Sequence, residues 1–208
     1  MNETKAHWEE HYGERDRVWS GRVNVQFADV AADLPPGRAL DLGCGEGADS
    51  VWLAERGWNV VAVDISETAL GRAREAASSR GVSDRIEFVA LDLSDGFPDG
   101  EFDLISAQFL HSTVRLDRTT ILARAARAIR PGGLLVIVDH GSGPPWPSKL
   151  DHHHEFPSAE EVVAGLNLAD EEYERVRIEA VERLAVGPDG QQHPWMDNVV
   201  VLRRWESP

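Results

Sequence analysis

The chain has 208 residues, 42% hydrophobic and 27% charged, a globular composition that excludes general disorder and suits a single domain. Its formal net charge of −15 opposes binding to DNA, RNA or anionic lipid, so no nucleic-acid or membrane partner is expected. Lys5 and Lys149 are the only lysines and no Gly-Lys-Ser/Thr triplet occurs, which excludes a phosphate-cradling P-loop.

In chain order, residues 3–33 are predicted as a helical preface. Asn2 or Thr4 caps a first helix through Tyr12, and a second helix covers 23–33. Pro35, Pro36 and Gly37 break the pattern. Short apolar runs at 39–42, 60–63, 86–91, 102–107 and 134–138 then read as buried strands. Helical segments at 49–56, 67–80 and 119–130 lie between them. Pro131, Gly132 and Gly133 end the last of these helices. Strands alternating with helices predict parallel βαβ units with right-handed crossovers and helices on both sheet faces. Residues 141–157 are an irregular insert rich in Gly, Pro and His. Ser158 and Glu161 form a capping box for a helix through Leu166. Segments 173–184 and 196–204 are two strands joined by the turn-rich GPDGQQHP, hence an antiparallel hairpin.

Cys44 is the only cysteine, so no internal disulfide forms and a reducing cytoplasm is the expected compartment. The N-terminal residues carry no signal or transit pattern, and no apolar run is long enough to span a membrane.

The run ALDLGCGEG at 39–47 ends a buried strand in a Gly-x-Gly-x-Gly turn that opens a helix. Glycines there permit close backbone approach to a ligand, and the helix start offers free N–H groups. Asp41 lies two residues before Gly43, where a carboxylate repels pyrophosphate and suits a cation. A dinucleotide site uses Gly-x-Gly-x-x-Gly, and Ala48 is tolerated at the last position in some of them, so spacing alone leaves an NAD-dependent oxidoreductase open. Against it stands Tyr173, followed four residues later by Arg177 rather than the lysine of a Tyr-x-x-x-Lys pair. Asp64 ends the next strand, 21 residues after Gly43, where an acid accepts ribose hydroxyls; Asp92 ends the third. Three acids on successive strand ends describe a site for a positively charged nucleoside without phosphate.

These residues resemble the class I S-adenosylmethionine-dependent methyltransferases. ALDLGCGEG, VVAVDIS, IEFVALDLSD, FDLISAQFLHS and AIRPGGLLVIVDH match the family's motifs in order across 38–140. The resemblance implies one Rossmann-like α/β domain with a seven-stranded, mostly parallel sheet in order 3-2-1-4-5-7-6, its seventh strand antiparallel. Residues 1–34 would form a helical cap and 141–157 a substrate lid. It further implies that Gly43, Cys44 and Gly45 line the methionine part of S-adenosylmethionine, with Asp41 also counted among the cofactor-binding residues. Asp64 holds the ribose, Ile65, Asp92 and Leu93 flank the adenine, and Gln108 begins the wall facing the methyl group. Trp19 and Arg22 of the preface would close over the cofactor, Arg22 on its carboxylate. Small-molecule branches of the thiopurine and tellurite-resistance type are the most similar.

Transfer to a small-molecule O, S or N nucleophile is expected, mainly by positioning, with S-adenosyl-L-homocysteine as product. A non-catalytic module that senses the cofactor is the alternative. His111 and His140, near the ends of the fourth and fifth strands, are the candidate bases. Adjacent His152, His153, His154 and Glu155 cannot easily all face one ion, so no metal is expected. Cys44, without a basic neighbour in sequence, reads as a packing residue. A monomer or homodimer is expected.

Overall fold

The computed structural model describes residues 3–146 and 156–206. Seven strands form one sheet: β1 (Arg38–Leu42), β2 (Asn59–Asp64), β3 (Ile86–Ala90), β4 (Phe102–Gln108), β5 (Ile129–His140), β6 (Tyr173–Val186) and β7 (Gln192–Arg204). Their order is β3-β2-β1-β4-β5-β7-β6, as expected, with β7 antiparallel to both its neighbours. The order reverses between β1 and β4, so the crevice at the C-terminal ends of those strands is the natural ligand site.

Side-chain alternation divides the core in two. Leu40, Leu42, Ile105, Leu135 and Ile137 face α5 (Arg118–Arg127) and α6 (Ala159–Gly165). Ala39, Val60, Ala62, Leu104 and Val136 face α2 (Val25–Ala31), α3 (Ala48–Glu55) and α4 (Glu67–Ser79). Strands buried on both faces read as continuous apolar runs, which is why the periodicity located them. The helix starts follow their caps. Asn24 accepts from the amides of Gln26 and Phe27, Ser66 from Ala69, Asp117 from Thr120, and the Ser158–Glu161 box is complete. The first helix, α1 (Glu3–Gly13), lies against the α4 side.

Element boundaries differ most from expectation in two regions. The helix expected through Arg130 ends at Arg127, and β5 starts at Ile129, well before Leu134. Ile129 pairs with Phe102 and Leu134 with Leu104, so β5 uses five residues where β4 uses two. Pro131 has no N–H to give the ladder, Gly132 takes a φ of 82°, and the excess bulges outward. Ile129 is fully buried in either reading, so its apolarity did not discriminate. The hairpin is also longer than expected. Its turn closes with Gly187 N–H donating to Gln191 O at 2.8 Å, and β7 begins at Gln192. Pro194 is tolerated inside β7 because β5 pairing stops at Asp197, leaving that side of the strand without a partner.

Candidate active site

The glycine turn is sewn to β2. Cys44 N–H donates to Val63 O at 2.9 Å and Gly45 N–H to Asp64 Oδ2 at 2.9 Å. Gly43, Gly45 and Gly47 have φ of 69°, 52° and 79°, in the left-handed region that favours glycine. Asp41 is buried beneath the turn, and its carboxylate accepts from the hydroxyls of Ser50 and Ser106. It thus anchors α3 and β4 to β1 rather than presenting an open charge. Asp64 accepts from Gly45 with one oxygen and from Ser66 N–H, at 2.9 Å, with the other. A carboxylate oxygen has a second lone pair, so both remain able to take a ligand hydroxyl. Asp92 accepts from Ser94 N–H at 2.9 Å at the end of the next strand. Cys44 is half-buried; burial, then the charges of Asp64 and Asp41, push its thiol up, which agrees with a packing role.

Burial raises the acids beneath the turn. Asp64 is pushed up to about 6 against the amides that hold it. Asp49 is pushed up to about 7 by burial and then by Asp41, against the Asn24 N–H that it accepts at 2.7 Å. An acid whose folded pKa is raised stabilises the fold most below the unfolded value, and that contribution is lost as pH rises to the folded value. For Asp49 the window runs from about 4 to about 7. Asp49→Asn keeps an acceptor for Asn24 and removes the charge. This variant is expected to lose less stability than the wild type between about pH 4 and about pH 8. Urea unfolding at both pH values measures it; equal losses would remove Asp49 as the cause.

The N-terminal segment roofs the turn. The carboxylate of Glu9 accepts from Ser66 Oγ, Glu67 N–H and Thr68 N–H at the start of α4. Glu46 accepts from the amides of Val18 and Trp19 and pairs with Arg72 at 2.8 Å. On the far side His7 Nε2 lies 3.0 Å from Thr113 Oγ1. Trp19 donates its indole N–H to Tyr12 Oη at 3.0 Å, and a Cβ on Gly45 would meet both rings' atoms. Arg22 is exposed, its backbone N–H donating to Ser20 Oγ. Sequence reasoning noticed the aromatics here but missed Glu9, Glu46 and Arg72, because their partners are distant in the chain.

Past β4, Phe109 takes a φ of 49° and turns the chain. Both polar atoms of the Gln108 side chain are buried without a hydrogen-bond partner among the described residues. Native structures rarely leave such atoms unmet. The two candidate bases come together, their rings nearly parallel at 6.0 Å. His111 Nε2 lies 3.4 Å from Asp139 Oδ1, and Arg118 holds the other oxygen. His140 Nδ1 lies 3.5 Å from Asp197 Oδ1, and Arg183 holds the other oxygen. Asp139 and Asp197 are almost completely buried. Burial pushes Asp139 up, against the pull of Arg118. Sequence reasoning missed these four partners. A lone acid in the apolar run MDNVVVL was the available signal for Asp197, since a buried charge needs a partner. Tyr173, weighed for oxidoreductase chemistry, instead donates its hydroxyl to Ala126 O at 3.0 Å. The His152–Glu155 run falls outside the described residues.

A family model for a methyltransferase domain matches residues 40–137. Methyltransferase GfsG of Streptomyces halstedii is 37% identical over 108 residues, 49% of this chain and 37% of that protein. Thiocyanate methyltransferase 1 of Arabidopsis thaliana is 33% identical over 145 residues, 67% of this chain and 63% of that protein. The chain therefore spans less than two thirds of the length of these relatives. Methyltransferases of ribosomal and transfer RNA also match over about half of the chain. A structure solved in work on the conversion of a disulfide bond into a thioacetal group during echinomycin biosynthesis aligns with a TM-score of 0.71. It is 27% identical and covers 100% of this chain and 93% of that one. Strand order, motif order and these matches converge: the chain belongs to the class I S-adenosylmethionine-dependent methyltransferases, a family whose cofactor is S-adenosylmethionine.

Proposed function

We propose that this chain transfers a methyl group from S-adenosylmethionine to a small-molecule acceptor. The observation that carries the small-molecule reading is the roof. Residues 3–19 meet Thr113 through His7, the start of α4 through Glu9, and the glycine turn where Glu46 accepts from Trp19 N–H. A covered site suits a ligand that fits beneath it better than a folded RNA, which the −15 charge also repels.

In this reading Gly43, Cys44 and Gly45 line the methionine part, Asp64 accepts the ribose hydroxyls, and Ile65, Asp92 and Leu93 flank the adenine. Gln108 faces the reacting end, Trp19 and Tyr12 close above the turn, and Arg22 reaches the carboxylate. Asp41 acts from below by holding the turn in shape. The cofactor supplies an activated methyl group on a sulfonium. The chain then contributes alignment of the acceptor and exclusion of water, which together account for most of the acceleration. Residues 1–34 serve as a cap, whereas most of the 141–157 insert lies outside the described residues.

The test is release of S-adenosylhomocysteine across a panel of phenols, thiols, amines and carboxylic acids, with unmodified transfer RNA as a further arm. Turnover with at least one small molecule and none with RNA is expected. Cofactor binding with no turnover on any arm would favour a sensing module, and turnover on RNA alone would overturn the small-molecule reading.

A further inference from the structure

The β5–β7 register sets Asp197 directly opposite His140, so both side chains leave the sheet on one face. Arg183 on β6 lies opposite Trp195, two residues before Asp197, and leaves on that face too. Its Nε donates to one oxygen of the buried Asp197 carboxylate. The other oxygen faces His140 Nδ1 at 3.5 Å. These two facing atoms are buried and have no hydrogen-bond partner among the described residues. Hydrogen bonds of a catalytic group are often long before substrate arrives and tighten when it binds. The His140 ring has little freedom to turn. Trp195 stacks on it at 4.3 Å and 6°, and Phe109 at 4.4 Å and 28°. With Nδ1 directed at Asp197, Nε2 is the nitrogen left to the site.

We propose that His140, through Nε2, is the base that takes a proton from a phenolic or enolic hydroxyl acceptor, and that Asp197 and Arg183 of the terminal hairpin are its positioning residues. The proposal rests on the methyltransferase reading above. The acceptor oxygen forms its bond to the methyl carbon as the carbon–sulfur pair leaves on sulfur, giving S-adenosylhomocysteine. The hydroxyl proton passes to Nε2 and then to water, while the Nδ1 proton stays directed at Asp197. An imidazole is far better matched to a phenol, of pKa about 10, than to an alkanol. The rings of Phe109 and Trp195 on His140, with Trp146 against Trp195, suit a flat acceptor. His111 meets Asp139 in a similar way but stands on the loop after Phe109, outside the Trp195–Phe109 stack. It is therefore assigned no proton transfer.

The first measurement needs no cofactor. Nitrogen-15 spectra of the labelled chain distinguish the two neutral imidazole tautomers. His140 is expected to carry its proton on Nδ1 in the wild type and to lose that preference in Asp197→Asn. A wild-type ring protonated on Nε2 would overturn the assignment. The second uses the phenols and thiols of the acceptor panel at neutral pH. His140→Phe keeps the aromatic stack and removes the base. Its turnover on a phenol should fall by about 10²–10⁴-fold, with cofactor affinity unchanged and a much smaller loss on a thiol acceptor that ionises by itself. His111→Ala should show only the smaller loss. Equal losses on phenol and thiol, or a wild type that methylates thiols or amines but no hydroxyl, would refute this proposal and leave the methyltransferase reading standing. No turnover on any acceptor would instead strike at that reading.

Discussion

Gly47→Ala is expected to lower stability by about 2–5 kcal/mol. Gly47 precedes α3 with a φ of 79°, a conformation that costs an L-residue about 1–2 kcal/mol. The added Cβ would also lie 2.7 Å from Ala73 Cβ and 3.2 Å from Ala73 Cα on α4. Overpacking of that kind costs about 1–3 kcal/mol more. Ala73 is fully buried, so α4 has no free space to retreat into. Gly81, at a φ of 70° with nothing within 4 Å of a built Cβ, isolates the conformational part. Gly71 on α4 has the same open space and no positive φ, so its alanine variant should be neutral or slightly stabilising. Urea midpoints of the three alanine variants provide the measurement. If Gly47→Ala and Gly81→Ala lose the same amount, the close approach of α3 to α4 is not what requires glycine.

Asp64→Ala is expected to weaken S-adenosylmethionine binding by about 1.5–3 kcal/mol, the range for hydrogen bonds to a charged group. From its strand-end position alone, Asp64 is expected to face only the ligand and to be replaceable without effect on the fold. The structure corrects that expectation. The carboxylate is buried and accepts from Gly45 and Ser66, so its loss leaves buried amides unmet at about 1–3 kcal/mol. Both affinity and stability should therefore fall. The pH dependence separates the two effects. Burial raises Asp64 to about 6, so lowering pH through that value protonates the carboxylate proposed to accept the ribose hydroxyls. Wild-type affinity should decline as pH falls below about 6 and stay level above it, whereas Asp64→Ala should show a weak, flat profile. Calorimetric titration across that range decides; an unchanged affinity in the variant would remove Asp64 from the ribose site.

The residues proposed for the site were legible because they sit where local rules place them. Gly43, Gly45, Asp64, Asp92 and Gln108 occupy a turn or strand ends, and a parallel sheet gathers all such ends on one edge. The strands themselves were legible because burial on both faces makes them continuous apolar runs. The start of β5 was not legible: Ile129 is core in helix or strand alike, and its pairing with Phe102 arises from the path of another segment.

The sequence by itself therefore determined the layer architecture, the strand order through its family resemblance, and the order of acids around the glycine turn. These follow from periodicity, capping residues and glycine, all set within a few neighbours along the chain. Tertiary structure alone decided that Asp41 is an anchor held by Ser50 and Ser106, that Glu9 ties α1 to α4, and which acid stands behind each histidine. Asp197 meets His140 only because two antiparallel strands pair in one register, and a slip of one residue would turn its carboxylate to the opposite face. Contacts of that range depend on how whole elements pack, and no local pattern in the chain records them.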